Sequence, residues 1–180
     1  MAIDMKRVIA EAAMTLLVDK KVKKLTVKDI VEECHITRQS FYYHFEDIPN
    51  LLHWILEQGM ERMMQETRGR EEAEEALRCF FLMAINAAPH IKKTLQSNYG
   101  DEIERLLKDQ IYRMFEQIVE EGNLYQNCSP FELKLILRYH SRAVIGIIQE
   151  WTEEDTKNID QIVHQVHLLM TGQISPFSKE

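Results

Sequence analysis

The chain has little of what interrupts a helix: four prolines and six glycines in 180 residues. A sandwich or barrel of many short strands joined by glycine- and proline-rich turns does not fit that composition. Cysteine is scarce and odd in number. Cys34, Cys79 and Cys128 are too far apart for a disulfide framework or a zinc spacing. That usage suits a reducing compartment, so a cytoplasmic location is expected. No apolar run approaches the roughly 20 residues that span a bilayer, and the N-terminus lacks a signal-peptide pattern, so no membrane association is expected. Phosphate-binding loops, dinucleotide fingerprints and nucleophile elbows are all missing. Glu-x-x-His occurs once, from Glu32 to His35 across a helix end, where a di-metal bundle needs two copies on long inward-facing helices. His164 and His167 stand three apart without an acid partner and read as interface histidines rather than metal ligands. No catalytic residue, cofactor or metal site is therefore expected. A small helical-bundle enzyme is the remaining reading of that class.

What the sequence does have is a dense motif between Leu25 and Phe45. Thr26 can cap a helix on which Val27, Ile30, Val31 and Cys34 share one face. The pattern breaks at His35-Ile36, and Thr37 can cap a second, shorter helix. On the second helix Phe41 and Phe45 turn inward with Ile36, leaving Arg38, Gln39, Ser40, Tyr42, Tyr43 and His44 outside. An ordinary solvated face carries Lys, Glu and Ala; this one has no acid and two adjacent tyrosines. Arg and Gln can make bidentate contacts to guanine and adenine edges, and hydroxyls can donate to phosphates. Two short helices across a tight turn are the helix-turn-helix geometry. The alternative is a helical hairpin whose aromatics fill a core or a protein interface.

Thr-Val-Lys-Asp-Ile-Val, then Ile-Thr-Arg-Gln-Ser-Phe-Tyr-Tyr-His-Phe, then Leu51-Leu52 resembles the N-terminal signature of TetR-family transcription regulators over roughly residues 8–56. Within that family, Arg-Gln-Ser-Phe-Tyr followed by Leu-Leu-His-Trp-Ile-Leu is similar to the branch that activates dihydroxyacetone kinase operons. The resemblance implies an all-α homodimer binding a palindromic operator through residues 37–44. Base contacts are expected from Arg38, Gln39, Ser40 and Tyr43, and phosphate contacts from Thr26, Lys28, Thr37, Tyr42 and His44. Two positions depart from the family pattern: the turn usually carries a small residue and Gly, which tolerates positive φ, and here it is Cys34-His35, with His tolerated there at some cost; the following helix usually begins with a lysine that reaches a phosphate, and here Ile48 takes that place.

The formal charge of −7 opposes DNA binding only if it is evenly spread. Residues 1–50 hold eight Lys and Arg against eight Asp and Glu, whereas residues 51–180 hold 14 against 21. Lys20, Lys21, Lys23, Lys24 and Lys28 gather beside the motif, so a local basic edge can hold phosphates while the body repels them.

The helical pattern divides into a head at 1–48 and a regulatory and dimerisation body at 49–180, with 48–64 as a linking helix. About nine helices are expected. Pro89 should end the fifth, which starts near Glu71, and open a short sixth. Long amphipathic segments follow over 101–121, from Pro130 to about Trp151, and over about 158–171. The last two carry apolar faces too wide for one neighbour, which places Ala143, Ile147, Trp151, Ile162, Val166 and Leu169 at an intersubunit four-helix bundle. Phe80, Met83, Asn86, Tyr99, Tyr112, Phe115 and His140 put aromatic, Met or isolated polar groups on apolar helices and are candidates to line an effector pocket. A small-molecule effector, or a protein co-regulator docked on the body, is the expected further partner.

Overall fold

The computed structural model describes residues 4–67 and 73–174. Among these the regular structure is all helix, with no strand: α1 (Met5–Met14), α2 (Val27–Glu33), α3 (Arg38–His44), α4 (Ile48–Thr67), α5 (Ala73–Thr94), α6 (Gly100–Glu121), α7 (Pro130–Gln149), α8 (Glu153–Lys157) and α9 (Ile159–Met170). The all-α expectation and the helix number both hold. The start of the fifth helix, expected near Glu71, lies outside the described residues.

Two differences from the sequence reading have local causes. Helix α5 runs through Pro89 to Thr94. A proline costs a helix one amide donor and a ring clash, but flanking turns that are packed can carry the backbone past it. The expected short sixth helix is therefore the end of α5. The ninth helix is α8 instead, opened by a reciprocal cap between Thr152 and Asp155. The end of α1 also departs from regular periodicity. Residues Thr15–Asp19 form a π-helical turn, in which the Lys20 amide donates to the Thr15 carbonyl at 3.0 Å. The wider turn keeps three consecutive residues, Leu16, Leu17 and Val18, in the core, which a 3.6-residue repeat would not.

The chain packs as two compact units, Met1–Met60 with Pro89–Gln110, and Glu61–Ala88 with Ile111–Glu180. Packing therefore does not divide at 48/49. In the first unit Ile9, Ala13, Leu17, Leu25, Ile30 and Phe41 are almost fully buried. They share one core with Leu51 and Leu52 of α4 and Ile103 and Leu106 of α6. The three N-terminal helices thus rest on the first half of α6. The elbow between α5 and α6 is tight, and a Cβ added at Gly100 would stand 2.2 Å from the Leu95 carbonyl oxygen. Gly100→Ala is expected to lower the stability of this unit by about 1–3 kcal/mol. Denaturant unfolding of the full chain checks this; an unchanged midpoint would show that the elbow yields.

Candidate nucleic-acid interface and body cavity

Both helices of the motif are set by their caps. The Thr26 hydroxyl accepts from the Asp29 amide at 3.2 Å and donates to Asp29 Oδ2 at 2.6 Å, while Asp29 Oδ2 accepts from the Thr26 amide. This is a full capping box with Asp at its third position. The turn then places His35 at φ +53°, in the left-handed backbone region. Thr37 caps α3 by accepting from the Ser40 amide at 3.1 Å. Phe41 is wholly buried and Phe45 nearly so, and their rings lie 6.1 Å apart. These two anchors fix which way α3 faces.

The opposite face meets solvent. Tyr43 is 84% exposed and Tyr42 56%, and Arg38 and Gln39 are exposed beside them. Tyr42 stands edge-on to the Phe41 ring at 5.4 Å, and Tyr43 edge-on to His44 at 5.0 Å. Rigid aromatics propped in this way lose little entropy on contact with a partner. Ser40 and His44 are half-buried at the flanks, and Thr37 is exposed at the helix start. Lys21, Lys23 and Lys24 are exposed along the preceding loop; Lys28 is exposed and lies 3.8 Å from Glu32. Thr26 is half-buried with its hydroxyl hydrogen on Asp29, so its visible role is to hold α2. Ile48 is buried in the head core, where a lysine would not reach solvent without displacing it.

A contact absent from the sequence reading braces this motif. Asn98, in the α5–α6 elbow, accepts from the Leu25 amide through Oδ1 at 2.8 Å, and its own amide donates to the Lys23 carbonyl at 2.8 Å. The loop carrying the lysines and the α2 cap is thus tied from both sides by one residue. No local signal marks it, because its partners are more than 70 positions away.

The proposed pocket residues do not gather in one place. The second unit holds a cavity of about 650 Å³ between α4, α5, α6, α7 and α9. Phe80, Phe115 and His140 line it, together with Leu77, Met114 and Leu137. Met83 and Tyr112 are half-buried away from its lining, and Asn86 is exposed rather than at a core position. Tyr99 belongs to the first unit, where it borders a separate hollow with Lys24, Thr26 and Tyr42. Tyr125, which sequence periodicity passed over because it lies outside the long helices, adds its phenol to the larger cavity.

His140 sits where burial pushes its pKa below the ordinary 6.5. Its neutral form is favoured on folding, so its stabilising effect is intact above about pH 6.5 and is lost as the unfolded chain protonates first at lower pH. The melting temperature is expected to fall between about pH 7 and 5.5, and His140→Leu to flatten that slope. A slope that survives this substitution would assign the effect to another group.

The comparisons with known proteins agree with this architecture. Residues 9–53 match the model for bacterial regulatory proteins of the tetR family, and residues 71–172 match that for a transcriptional regulator C-terminal region. The chain belongs to the TetR family. As a member it is a transcriptional regulator of the TetR type, the family expected from residues 25–45. It is similar to the uncharacterized HTH-type regulator YxbF of Bacillus subtilis, 22% identical over 87% of this chain but only 42% of that protein's length. It is also similar to the HTH-type dhaKLM operon transcriptional activator DhaS of Lactococcus lactis, 21% identical over 95% of this chain and 91% of that one. A solved structure of a dihydroxyacetone kinase operon activator DhaS superposes with a TM-score of 0.63 at 19% identity, covering 99% of this chain and all of the other. The fatty acid degradation regulator FadR from Bacillus halodurans does so with a TM-score of 0.55 at 14% identity, over 94% and 99%. At these identities the structural likeness shows the fold. Among the described residues of this TetR regulator no helix is long and apolar enough to cross a membrane, and no group of three or more His, Cys, Asp or Glu could hold a metal ion.

Proposed function

We propose that this TetR-family protein works in the cytoplasm as a homodimer that reads a palindromic operator with α3, and that an effector in the cavity of the second unit modulates the binding. The observation that carries the reading is the solvent face of α3: an Arg, a Gln and two tyrosines project together from a helix whose other side is locked by Phe41 and Phe45. Arg38, Gln39, Ser40 and Tyr43 are assigned to base edges. Thr37, Tyr42, His44 and Lys28 are assigned to phosphates. Thr26 supports them through the α2 cap.

One short recognition helix contacts few base pairs, and a two-fold partner doubles the contacts on a palindrome. The apolar surface that supports a dimer lies on α7 and α9. Phe131, Leu135 and Tyr139 stand in an i, i+4, i+8 row on α7 and are 77%, 55% and 67% exposed. Ala143 continues that row, exposed, and Gly146 has open space where a Cβ would be. On α9, Leu169 is 53% exposed and Ile162 half-buried. Ile147 is half-buried beside them. Two members of the expected interface face inward instead: Val166 is 6% exposed, and Trp151 packs on Phe81 with ring centroids 5.6 Å apart. The sequence reading names Ala143 from this row and none of Phe131, Leu135 or Tyr139, since Leu133, Ile136 and Leu137 mark a competing apolar face.

Sedimentation of the full chain with and without the intergenic DNA next to its gene tests the proposal. Dimers in solution and a symmetric footprint on that DNA are expected. Monomers, or binding that is equal on random DNA at physiological salt, would reject it.

A further inference from the structure

The elbow between α5 and α6 is built to hold one residue still. The Ser97 hydroxyl accepts from the Tyr99 amide at 3.2 Å, and the Ser97 carbonyl accepts from the Gly100 amide at 3.0 Å. The buried Thr94 donates its hydroxyl hydrogen to the Ile91 carbonyl at 2.8 Å. Asn98 stands among these bonded residues and grips the main chain on either side of Lys24. Its amide donates to the Lys23 carbonyl and its Oδ1 accepts from the Leu25 amide, both at 2.8 Å. Leu25 is almost fully buried, so its amide would lose a partner that solvent does not replace. Of the lysines on this edge, Lys20 and Lys28 already stand by acids, Glu33 and Glu32. Lys24 is exposed and has no ion-pair partner among the described residues. It borders a hollow of about 320 Å³ with Thr26, Tyr42 and Asn98, and with the acids Glu46 and Asp47. Asp47 is occupied, accepting from the Asn50 amide at 2.8 Å at the start of α4. Glu46 is exposed and is the rival for the Lys24 ammonium once the loop can shift.

We infer that Lys24 and Tyr42 together take one phosphate of the DNA backbone, and that Asn98 is a positioning residue for this contact, acting through the two main-chain bonds that fix Lys24. The inference rests on the proposed reading of operator DNA by α3. A lysine is a compact charge on a flexible stem, so a loose main chain beneath it adds to the ordering that each contact costs. With residues 23 and 25 both anchored, the main chain at Lys24 has little freedom left to lose. The contact is blind to sequence, so it strengthens all duplexes alike. Ile48 borders the same hollow, and Lys24 supplies from the loop a cation that the first residue of α4 does not.

The test measures binding of the full chain to the intergenic fragment next to its gene and to a random duplex, over about 50–200 mM salt. Lys24→Gln is expected to weaken both duplexes about three- to tenfold and to lower the slope of log affinity against log salt by about one. Asn98→Ala should weaken both by about two- to fivefold in the unaltered chain, and by less than about 1.5-fold once Lys24→Gln is present. A general loosening of the head would not depend on Lys24 in this way. Asn98→Ser, which also withdraws the acceptor from Leu25, serves if Asn98→Ala does not fold. An unchanged salt slope in Lys24→Gln overturns the inference. So does a loss at Asn98 that is absent, or that is the same with and without Lys24. Arg38→Ala, run alongside, keeps the two readings apart. If it loses preference for the intergenic fragment while Lys24→Gln is silent, the phosphate contact fails and the α3 reading stands. If the unaltered chain binds neither duplex, the α3 reading fails and carries this one with it.

Discussion

Phe41→Ala is expected to remove about 3–5 kcal/mol from the stability of the head, enough to unfold it in a marginal protein. The side chain is wholly buried and sits between the rings of Tyr42 and Phe45. Around it are Ile30 of α2, Ile9 and Ala13 of α1, and Leu51 of α4, all in the same core. Side chains from three other helices enclose the ring, so the cavity would not close by collapse, and the cost falls in the upper part of the range. The paired control is Tyr43→Ala, which removes a larger side chain at a position 84% exposed and should leave unfolding unchanged within about 0.5 kcal/mol. Denaturant unfolding of both variants decides the matter. Equal losses, or a loss below about 1 kcal/mol for Phe41→Ala, would mean that α3 is not anchored by this ring.

The second large effect concerns recognition. Arg38→Ala should weaken the operator complex by about 1–3 kcal/mol, roughly five- to 150-fold, and relax the preference for one base pair. Arg38 opens α3, where the helix enters a groove, and its guanidinium has exposed surroundings. Tyr42→Phe is the contrasting change. It deletes one hydroxyl assigned to phosphate, so all sequences should weaken together. Binding measured on a randomised-site pool separates the two outcomes. Affinity unchanged at Arg38, or a loss spread evenly over all bases, would remove Arg38 from base recognition.

Much of the head was legible because its signals are local. A Thr before an apolar run, an Asp three residues on, a His at a left-handed turn and aromatics four apart each specify geometry within a few residues, and all reappear as caps, turn and anchors. The long helices were legible from periodicity. What failed was of two kinds. Backbone irregularities failed where packing outweighs local preference, as with Pro89 inside α5 and the π-helical turn that buries Val18. Placement across distance failed too. Tyr99 belongs with the head rather than the cavity, Asn86 meets solvent, and Val166 points into its own unit. On an amphipathic helix with a broad apolar band, composition cannot say which edge meets the core and which is left outside, since both edges carry the same residue types. That is also why Phe131, Leu135 and Tyr139 were passed over.

The Asn98 bridge separates two properties that evolution would otherwise have to change together. Substitutions at positions 38–44 alter which sequence is read, because those side chains face outward from an anchored helix. Substitutions between Ser97 and Gly100 alter how firmly the lysine-bearing loop is held, through main-chain partners that carry no base information. Drift in target preference and drift in the firmness of this brace can therefore proceed on separate codons.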